Sequence, residues 1–369
     1  MVDPVRIDDL RGRIAHDVDR GWIPAAQVAV AIDGEFVVDE AFGAATPEKR
    51  LPLFSVSKVL VAAAVWRLFT SDDLAPADLV VERLPWFTGG GKDDVAVEHL
   101  LLHTAGFPNA PLGPPTWFDA EARREKIAAW HCTTPAGREF DYHPTSAFWV
   151  LAELLAEVTG LDHCDAVEQL VTRPLGLPRM LGVDDDVVDV CEAVMVGTVD
   201  ARVVATPPEV THGSLLQFNR SDVRRLGVPG AGGFARAGDV ALLYQALLQD
   251  DSELWDRSVL EDGTGTVRVT QLDVLRGVPA NRTRGLMCAG DDGNAPMRGF
   301  SRRCSPRAFG HDGAAGQVAW ADPASGLSCC FLTAGIERDI VRQHRRSIGV
   351  SDRAAMITTP PDAAPEDER

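Results

Sequence analysis

Ser55 and Lys58 stand three positions apart in the segment FSVSK. A serine hydroxyl is a weak nucleophile until a neighbouring base accepts its proton, and a desolvated lysine can serve as such a base. In a helix the two side chains would project from one face, because residues three apart are neighbours there. This pair could therefore perform nucleophilic catalysis. The alternative is an N-cap serine followed by a solvated lysine.

The segment around this pair argues against a solvated Lys58. Residues 53–69 are mostly apolar and contain no glycine or proline, which predicts a buried helix. The charge of Lys58 then needs a buried partner. The start of a helix also provides positive potential, and the Ser55 amide can point at an oxyanion that develops during acyl transfer.

Two further segments carry residues that could complete such a site. Tyr142 lies in FDYHP, before the predicted helix 146–159, and His311 lies in FGHDGA, before a predicted strand. The glycine-rich segments at 89–92 and 230–233 lack the full spacing of phosphate or dinucleotide loops, so we interpret them as turns. The nine histidines show no metal-ligand spacing, and neither a metal nor a cofactor is expected.

In order and spacing, these segments resemble the serine β-lactamase and penicillin-binding-protein-like hydrolases, specifically the class C and esterase branch. The resemblance runs from about residue 20 to 335. It is carried by Ser55-x-x-Lys58, HLLLHTAGFP at 99–108, Tyr142, the segment 151–160 followed by PLGL, GAGG at 230–233, and His311-x-Gly313.

The resemblance implies catalytic roles for three residues. Ser55 would be the nucleophile that becomes acylated, and Lys58 would share its proton. Tyr142 would accept from Ser55 and donate to the leaving group, which a tyrosine does near neutral pH only when adjacent cations stabilise its anion. His103 and Thr104 would be structural, satisfying buried backbone groups, and Tyr142 itself could alternatively be a core aromatic.

The resemblance also implies an oxyanion hole and a substrate-binding strand. The amides of Ser55 and Ala314 would stabilise the oxyanion. The motif formed by His311, Asp312 and Gly313 would contact the substrate.

Two positions depart from the β-lactamase pattern and argue against tight β-lactam recognition. Pro144 replaces an asparagine, although a proline also fits the first turn of a helix. His311-Asp312-Gly313 replaces Lys-Thr-Gly. If Asp312 faces the pocket, it would repel a β-lactam carboxylate by about 3 kcal/mol at ~5 Å and an effective dielectric constant of ~20, roughly a hundredfold in affinity. Alternatively, Asp312 points away and pairs with Arg302 or Arg303.

The periodicity of the remaining sequence predicts an α+β fold, an antiparallel sheet flanked by helices with an inserted, mostly helical domain. An Asp-Gly pair predicts a hairpin, and Asp239 is the expected N-cap of one helix. The predicted elements are helices at 5–20, 53–69, 146–159, 239–249 and 340–348, and strands at 26–32, 35–42, 266–269, 316–321 and 327–333.

The predicted elements divide the chain into two domains. The resemblance implies that these are of β-lactamase/transpeptidase-like type, with the active site between them. They are a sheet domain at 1–70 plus 264–357 and a helical domain at 71–263, followed by a disordered tail at 358–369.

Composition limits the partners. The 369 residues include 36 Lys and Arg against 54 Asp and Glu, a formal net charge of −18. Such a charge repels phosphate backbones and anionic lipids, so neither nucleic acid nor a membrane is an expected partner. No apolar run suits a membrane helix, and the start of the chain lacks signal-peptide features. The seven cysteines form no CxxC pair, which favours reduced thiols and a cytoplasmic location.

The leading interpretation is a serine hydrolase that acts through an acyl-enzyme on a small neutral ester, or less readily on an amide. The alternatives are a β-lactamase, a D-specific peptidase or amidase, and an inactive binding protein of the same fold. The sequence does not identify the acyl, alcohol or amine group, the physiological pathway or the oligomeric state. Four aromatic residues could line an apolar acyl pocket or belong to the core: Trp117, Phe118, Trp130 and Trp149.

Overall fold

The computed structural model of the protein describes residues 2–184, 188–198, 211–249 and 253–358. The described strands are β1 (Ala25–Ile32), β2 (Glu35–Gly43), β3 (Leu51–Pro52), β4 (Val194–Val196), β5 (Phe234–Ala235), β6 (Leu272–Asp273), β7 (Val278–Pro279), β8 (Met287–Cys288), β9 (Phe309–Asp312), β10 (Val318–Asp322), β11 (Leu327–Thr333) and β12 (Gly335–Glu337).

The helices connect these strands and cover both faces of the sheet. They are α1 (Pro4–Asp19), α2 (Lys58–Thr70), α3 (Val80–Arg83), α4 (Val97–Leu101), α5 (Ala120–Ala128), α6 (Ser146–Thr159), α7 (His163–Val167), α8 (His212–Leu215), α9 (Ser221–Leu226), α10 (Ala237–Gln249), α11 (Arg257–Gly265) and α12 (Ile340–Ala355). Shorter 3-10 or π turns lie at Phe54–Ser57, Thr116–Phe118, Glu168–Thr172, Leu216–Asn219, Ala295–Arg298 and Ala314–Gly316.

Six strands form one antiparallel sheet in the order β2-β1-β11-β10-β9-β8. The predicted Asp-Gly hairpin joins β1 to β2, and Asp33 and Gly34 have φ of 51° and 76°. Positive φ at both central residues matches the twist of a tight hairpin. The predicted α+β fold with a sheet built from both ends of the chain is confirmed.

Successive side chains of the central strands point to opposite faces of the sheet and belong to two separate apolar cores. Val28 and Phe331 pack with α1 and α12 on one face, whereas Ala29 and Leu332 join a larger core on the other face. The larger core also contains the buried residues of α2, α6 and α10. The sheet therefore provides a rigid support on which α2, the helix that follows Ser55, is buried.

Three predicted elements differ from the structure. The helix expected at 53–69 is a 3-10 turn followed by α2. Asp239 lies inside the first turn of α10 and pairs with Arg236, so its assignment as an N-cap was wrong. No strand forms at 266–269, where Val269 makes only an isolated bridge, because most of this segment is exposed and finds no partner strand.

The domain boundaries stay a prediction. One observation bears on where the helical part meets the sheet: α10, which falls within 71–263, packs against the sheet. Gln245 donates to the Ala31 carbonyl at 2.9 Å, and Ser328 donates to the Ala241 carbonyl at 2.8 Å. Residues 359–369 of the predicted tail lie outside the described residues. Within the described part of the chain, no helix combines the length and apolar content required to cross a membrane.

Candidate active site

Ser55 lies in the 3-10 turn that leads directly into α2. Phe54, the residue before it, has φ of 46°, a left-handed conformation that residues with a Cβ rarely adopt. The Leu53 amide donates to the Gly233 carbonyl at 2.9 Å, which anchors the start of the turn. Strained backbone enforced by its surroundings is typical of functional sites. The turn leaves Ser55 only 8% exposed at the start of a buried helix.

Three predicted catalytic side chains meet at the Ser55 hydroxyl. The Tyr142 hydroxyl donates to Ser55 Oγ at 2.9 Å, and Lys58 Nζ lies 3.3 Å from the same oxygen. Lys58 Nζ also lies 5.1 Å from the centroid of the Tyr142 ring. A proton can therefore move between a serine and a tyrosine beside a positive charge.

The Lys58 ammonium is fully buried and finds the partners that the apolar helix required. It donates to the Pro144 carbonyl at 2.7 Å and to the Gly230 carbonyl at 2.9 Å. With Ser55 Oγ these make three acceptors for the three N–H groups of an ammonium. Pro144 therefore contributes its carbonyl to the site, and the glycine-rich turn at 230–233 contributes another.

Two buried histidines fix the segment that carries Tyr142. The His103 ring lies 4.7 Å from the Tyr142 ring between centroids, and its Nδ1 accepts from the His143 amide at 3.1 Å. His143 Nδ1 lies 2.6 Å from the Asp141 carbonyl, and its Nε2 accepts from the Phe107 amide at 3.2 Å. Both rings are thus engaged with the backbone or packed on Tyr142, as a structural role would require.

Burial keeps these histidines neutral. It lowers the pKa of His143 to about 4. It also lowers the pKa of His103 well below 6.5, with the nearby charge of Arg282 acting in the same direction. Around neutral pH neither ring competes with Lys58 as the cation beside Tyr142.

His311 faces Tyr142 from the end of β9, with the ring centroids 6.2 Å apart. Its Nδ1 lies 2.5 Å from the Asp312 carbonyl, and its Nε2 lies 3.0 Å from Nη1 of Arg282. Because a carbonyl can only accept and a guanidinium can only donate, Nδ1 carries the proton and Nε2 accepts. Burial, followed by the charges of Arg282 and Lys58, lowers the pKa of His311 well below 6.5.

The Asp312 carboxylate is bound in a two-point ion pair with Arg276, at 2.9 Å and 2.6 Å. Arg276 also lies 3.3 Å from Asp273. The partner is neither of the arginines considered from the sequence, and Arg302 instead pairs with Asp352. Arg276 therefore offsets the charge expected to repel a β-lactam carboxylate.

Gly313 directly follows β9 and packs against the turn that carries Ser55. A Cβ at Gly313 would lie 2.7 Å from the Leu53 carbonyl oxygen, so only glycine allows this approach. Gln317 donates to the Pro52 carbonyl at 2.7 Å and strengthens the same junction. Ala314, the predicted second oxyanion donor, directly follows this contact, and its role stays a prediction.

The four aromatic residues considered for an acyl pocket lie in different environments. Trp117 lines a cavity of about 400 Å³ together with Leu112, Thr145 and Phe218. Trp149 is fully buried in the core. Trp130 lines a separate cavity of about 350 Å³, and Phe118 is 41% exposed. Of these four, Trp117 is the one beside the segment that leads from Tyr142 into α6.

The remaining motifs have structural explanations. Lys92, in the glycine-rich segment at 89–92, is buried and donates to three backbone carbonyls, which confirms a turn. Asp162, His163 and Cys164 place possible metal-ligand atoms within 4.8 Å of one another. However, His163 Nε2 contacts the Gly227 carbonyl at 2.8 Å. Burial disfavours the charge of His163, but Cys164 and Asp162 outweigh it and raise the pKa of His163 well above 6.5, so a metal would have to displace a bound proton.

Sequence reasoning missed Arg282 and the carbonyl partners of Lys58. Arg282 is fully buried, and its guanidinium carbon lies 5.2 Å from the Tyr142 ring centroid. It belongs to no motif, and only the tertiary structure brings it to the site. The carbonyls of Pro144 and Gly230 carry no side-chain signal, although a buried Lys58 implied that such acceptors exist.

Comparisons with known proteins establish the family of the chain. The Beta-lactamase family profile matches residues 10–347. A penicillin-binding protein homologue from Caulobacter crescentus superposes with a TM-score of 0.82 and 26% identity, covering 96% of this chain and 98% of its own. A family VIII carboxylesterase superposes with a TM-score of 0.79 and 21% identity, over 96% and 98% of the two chains.

A curated relative extends the comparison to amide substrates. A candidate D-alanyl-D-alanine carboxypeptidase of Escherichia coli O157:H7 is 24% identical over 371 residues, which cover 89% of this chain and 82% of that protein. The family match spans nearly the whole chain, from α1 to α12. With its α+β fold, the protein belongs to the Beta-lactamase family of serine hydrolases.

Proposed function

We propose that this protein hydrolyses small neutral esters through an acyl-enzyme on Ser55. The observation that carries the proposal is the contact of 2.9 Å between the Tyr142 hydroxyl and Ser55 Oγ, with Lys58 Nζ 3.3 Å from the same oxygen. A nucleophile within hydrogen-bond distance of its base, beside an orienting third group, is the arrangement that covalent catalysis requires.

The reaction proceeds in two steps. Tyr142, as the phenolate, accepts the proton of Ser55 while Oγ attacks the ester carbonyl carbon, and then transfers that proton to the departing alcohol. In the second step Tyr142 accepts a proton from the water that attacks the acyl-enzyme carbonyl carbon, and then returns that proton to Ser55 Oγ as the acid is released. The amides of Ser55 and Ala314 stabilise the oxyanion in both steps. Lys58, with its ammonium bound to two carbonyls, supplies positive charge beside the phenolate.

The environment of His311 favours neutral esters over β-lactams. Both ring nitrogens are engaged inside the protein, so the ring offers neither a charge nor a hydrogen-bond donor to a substrate carboxylate. Asp312 is bound by Arg276 and supplies no hydroxyl. The cavity beside Trp117, with its apolar residues Leu112 and Phe218, suits an apolar acyl or alcohol group.

A second candidate is hydrolysis of an amide at a D-amino acid. It is favoured by the similarity to the candidate D-alanyl-D-alanine carboxypeptidase of Escherichia coli O157:H7. Amide hydrolysis would use the same nucleophile and base, but it demands more of the acid that protonates the departing amine.

The cysteines of the chain are all unpaired in the structure, which supports a reducing compartment such as the cytoplasm.

Steady-state hydrolysis of short-chain p-nitrophenyl esters by Ser55→Ala tests the assignment. The variant should lose at least ~1,000-fold in kcat/KM, because loss of a nucleophile is rarely compensated. Ser57→Ala is the matched control, since the Ser57 hydroxyl accepts from the Gly233 amide at 2.9 Å and takes no part in the proposed reaction. A Ser55→Ala enzyme that keeps more than about a tenth of the activity would refute the proposal. Parallel assays with nitrocefin and a D-alanyl-D-alanine peptide separate ester hydrolysis from the alternatives.

A further inference from the structure

Arg282 lies in the segment between β7 and β8, and its backbone is firmly held. Its amide donates to the Val269 carbonyl at 2.9 Å, and the preceding residue, Asn281, has φ of 46°. The side chain is fully buried, and its guanidinium carbon lies 5.2 Å from the Tyr142 ring centroid and 5.7 Å from that of Phe140. The guanidinium is therefore a permanent neighbour of the Tyr142 ring.

The hydrogen bonding of Arg282 is unusually incomplete for a buried cation. Nη1 donates to Nε2 of His311 at 3.0 Å, whereas Nε and Nη2 have no hydrogen-bond partner in the structure. Within the described ranges, no carboxylate forms an ion pair with Arg282. A buried charge without a counter-ion lowers stability, so its presence requires a reason other than folding.

The immediate neighbour of Arg282 supplies no positive charge of its own. His311 accepts from Arg282 and donates to the Asp312 carbonyl, which defines it as a neutral imidazole. The motif position occupied by lysine in β-lactamases is therefore uncharged in this protein. Among the described residues, the cations that lie over the face of the Tyr142 ring are Lys58, with Nζ 5.1 Å from the centroid, and Arg282, with its guanidinium carbon 5.2 Å from it.

We propose that Arg282 is a positioning residue that supplies the positive charge missing from the His311 motif and favours the phenolate of Tyr142, so that Tyr142 can accept the proton of Ser55. The inference rests on the proposed function and adds a residue to it. Burial lowers the pKa of Arg282 to about 10, which leaves the guanidinium charged around neutral pH.

The other titratable groups around Tyr142 do not replace this charge. Three histidines face the ring or its backbone, and burial lowers the pKa of each: His103, His143 and His311. Arg276 is a third cation whose charge interacts with Tyr142, but two carboxylates pair with it, those of Asp273 on the hairpin formed by β6 and β7 and of Asp312 at the end of β9. Asp141 precedes Tyr142, and burial followed by the charge of Asp273 raises its pKa.

The test compares Arg282→Met, Arg282→Lys and Arg284→Met with wild type in the pH profile of kcat/KM for a p-nitrophenyl ester. In Arg282→Met the acidic limb should move up by about two pH units, the contribution of a unit charge ~5 Å away at an effective dielectric constant of ~20. At neutral pH kcat/KM should fall about 10- to 100-fold, with the loss mainly in kcat. In Arg282→Lys the acidic limb of the profile should lie close to its wild-type pH.

Thermal unfolding separates this role from a structural one. Arg282→Met replaces an unpaired buried charge by an apolar side chain, so its melting temperature should be unchanged or higher. Arg284 is the matched control, because it pairs with Glu98 at 2.7 Å and with Asp262 away from the site. Arg284→Met should lower the melting temperature while leaving the pH profile unchanged.

Several results would overturn the inference. They are an acidic limb that stays in place in Arg282→Met, equal pH profiles for the Met and Lys variants, or a loss of activity that follows a loss of melting temperature.

If Arg282→Met does not fold, a second measurement replaces its pH profile. This measurement is the tyrosinate absorbance of Arg282→Lys and wild type during alkaline titration. The chain has two tyrosines, so a Tyr142→Phe variant identifies the transition that belongs to Tyr142. A wild-type-like rate in Ser55→Ala would instead overturn the proposed function itself.

Discussion

At the scale of single residues, Lys58 and Tyr142 share the Ser55 hydroxyl as a hydrogen-bond partner. An ammonium has three N–H groups, and the structure provides the Pro144 carbonyl, the Gly230 carbonyl and Ser55 Oγ as acceptors. A neutral amine would instead donate to the two carbonyls and accept from the Ser55 hydroxyl, so these groups stay hydrogen-bonded in either state. In the proposed mechanism Lys58 acts as the cation, and its charge favours transfer of the Ser55 proton to Tyr142.

This division of roles predicts strong coupling between the two residues. Lys58→Ala, Tyr142→Phe and the double variant should lose similar amounts of kcat/KM, because each change disables the same proton transfer. The measurement is a double-mutant cycle on one p-nitrophenyl ester. Losses that multiply strictly would show that Lys58 and Tyr142 act independently, and would contradict a shared mechanism.

The ion pair at Asp312 changes the expected response to anionic substrates. With Arg276 bound to the carboxylate, Asp312→Thr should raise acylation by penicillins relative to neutral esters by less than about tenfold, below the hundredfold expected for an unpaired charge. The comparison requires acylation rates for one penicillin and one ester with both enzymes. A hundredfold or larger gain would mean that Asp312 acts on the substrate directly. Nitrocefin turnover by the wild type at the rate of a good ester would contradict the preference for esters itself.

At the scale of elements, the site depends on the contact between the end of β9 and the turn that carries Ser55. A Cβ at Gly313 would meet the Leu53 carbonyl oxygen at 2.7 Å, and this backbone atom cannot move without displacing the turn. Gly313→Ala should therefore reduce kcat/KM at least about 100-fold, since small displacements of catalytic groups are costly. Gly12→Ala is the control, because its Cβ would meet nothing within 4 Å.

The outcome of this comparison is measurable in two assays. Gly12 is exposed in α1, where alanine is favoured over glycine by about 0.5–1 kcal/mol, so the control should be slightly stabilised and fully active. A Gly313→Ala enzyme with near wild-type kcat/KM would show that the junction tolerates movement and does not position the oxyanion hole.

The elements that could be predicted from sequence are those with a strong local signal. Helix α6 occupies the expected residues, and Gly160 ends it with φ of 70°. Strand β11 also matches its prediction. In contrast, β9 is short and depends on pairing with β10, and β8 depends in turn on pairing with β9. The turn before α2 depends on the anchoring of Leu53 by Gly233. Such features are decided by tertiary contacts and have no periodicity of their own.

The same distinction applies to the site. Ser55, Lys58 and Tyr142 could be proposed because the order and spacing of the segments that carry them resemble a known family, and the structure brings all three together. Arg282 and the partner of Asp312 could not, because a single arginine carries no pattern. They were found from burial and distance alone.

At the scale of the whole molecule, the buried histidines around the site couple it to global stability. The pKa of His143 is about 4 in the folded protein, against ~6.5 for an unfolded histidine. The unfolded state therefore binds more protons between these values, and the free energy of unfolding should fall by up to about 3 kcal/mol from His143 alone as the pH drops from ~6.5 to ~4. His103 and His311 act in the same direction.

Urea unfolding over this pH range checks the prediction. The midpoint should decrease steadily with acidification, and His143→Asn should flatten the decrease. His163 does not obscure the result, because its pKa is raised and its contribution is lost only at higher pH. A midpoint that is constant or rises between pH ~6.5 and ~4 would contradict the assignment of buried neutral histidines.

The central claim is that Ser55 is the nucleophile of an active hydrolase. The most direct measurement is peptide mapping by mass spectrometry after treatment with a fluorophosphonate, with esterase activity followed in the same sample. We expect one adduct per chain, located on Ser55, with activity lost in proportion to labelling and no adduct in Ser55→Ala. An enzyme that keeps its activity without an adduct on Ser55, or that carries the inactivating adduct on another residue, would contradict the account.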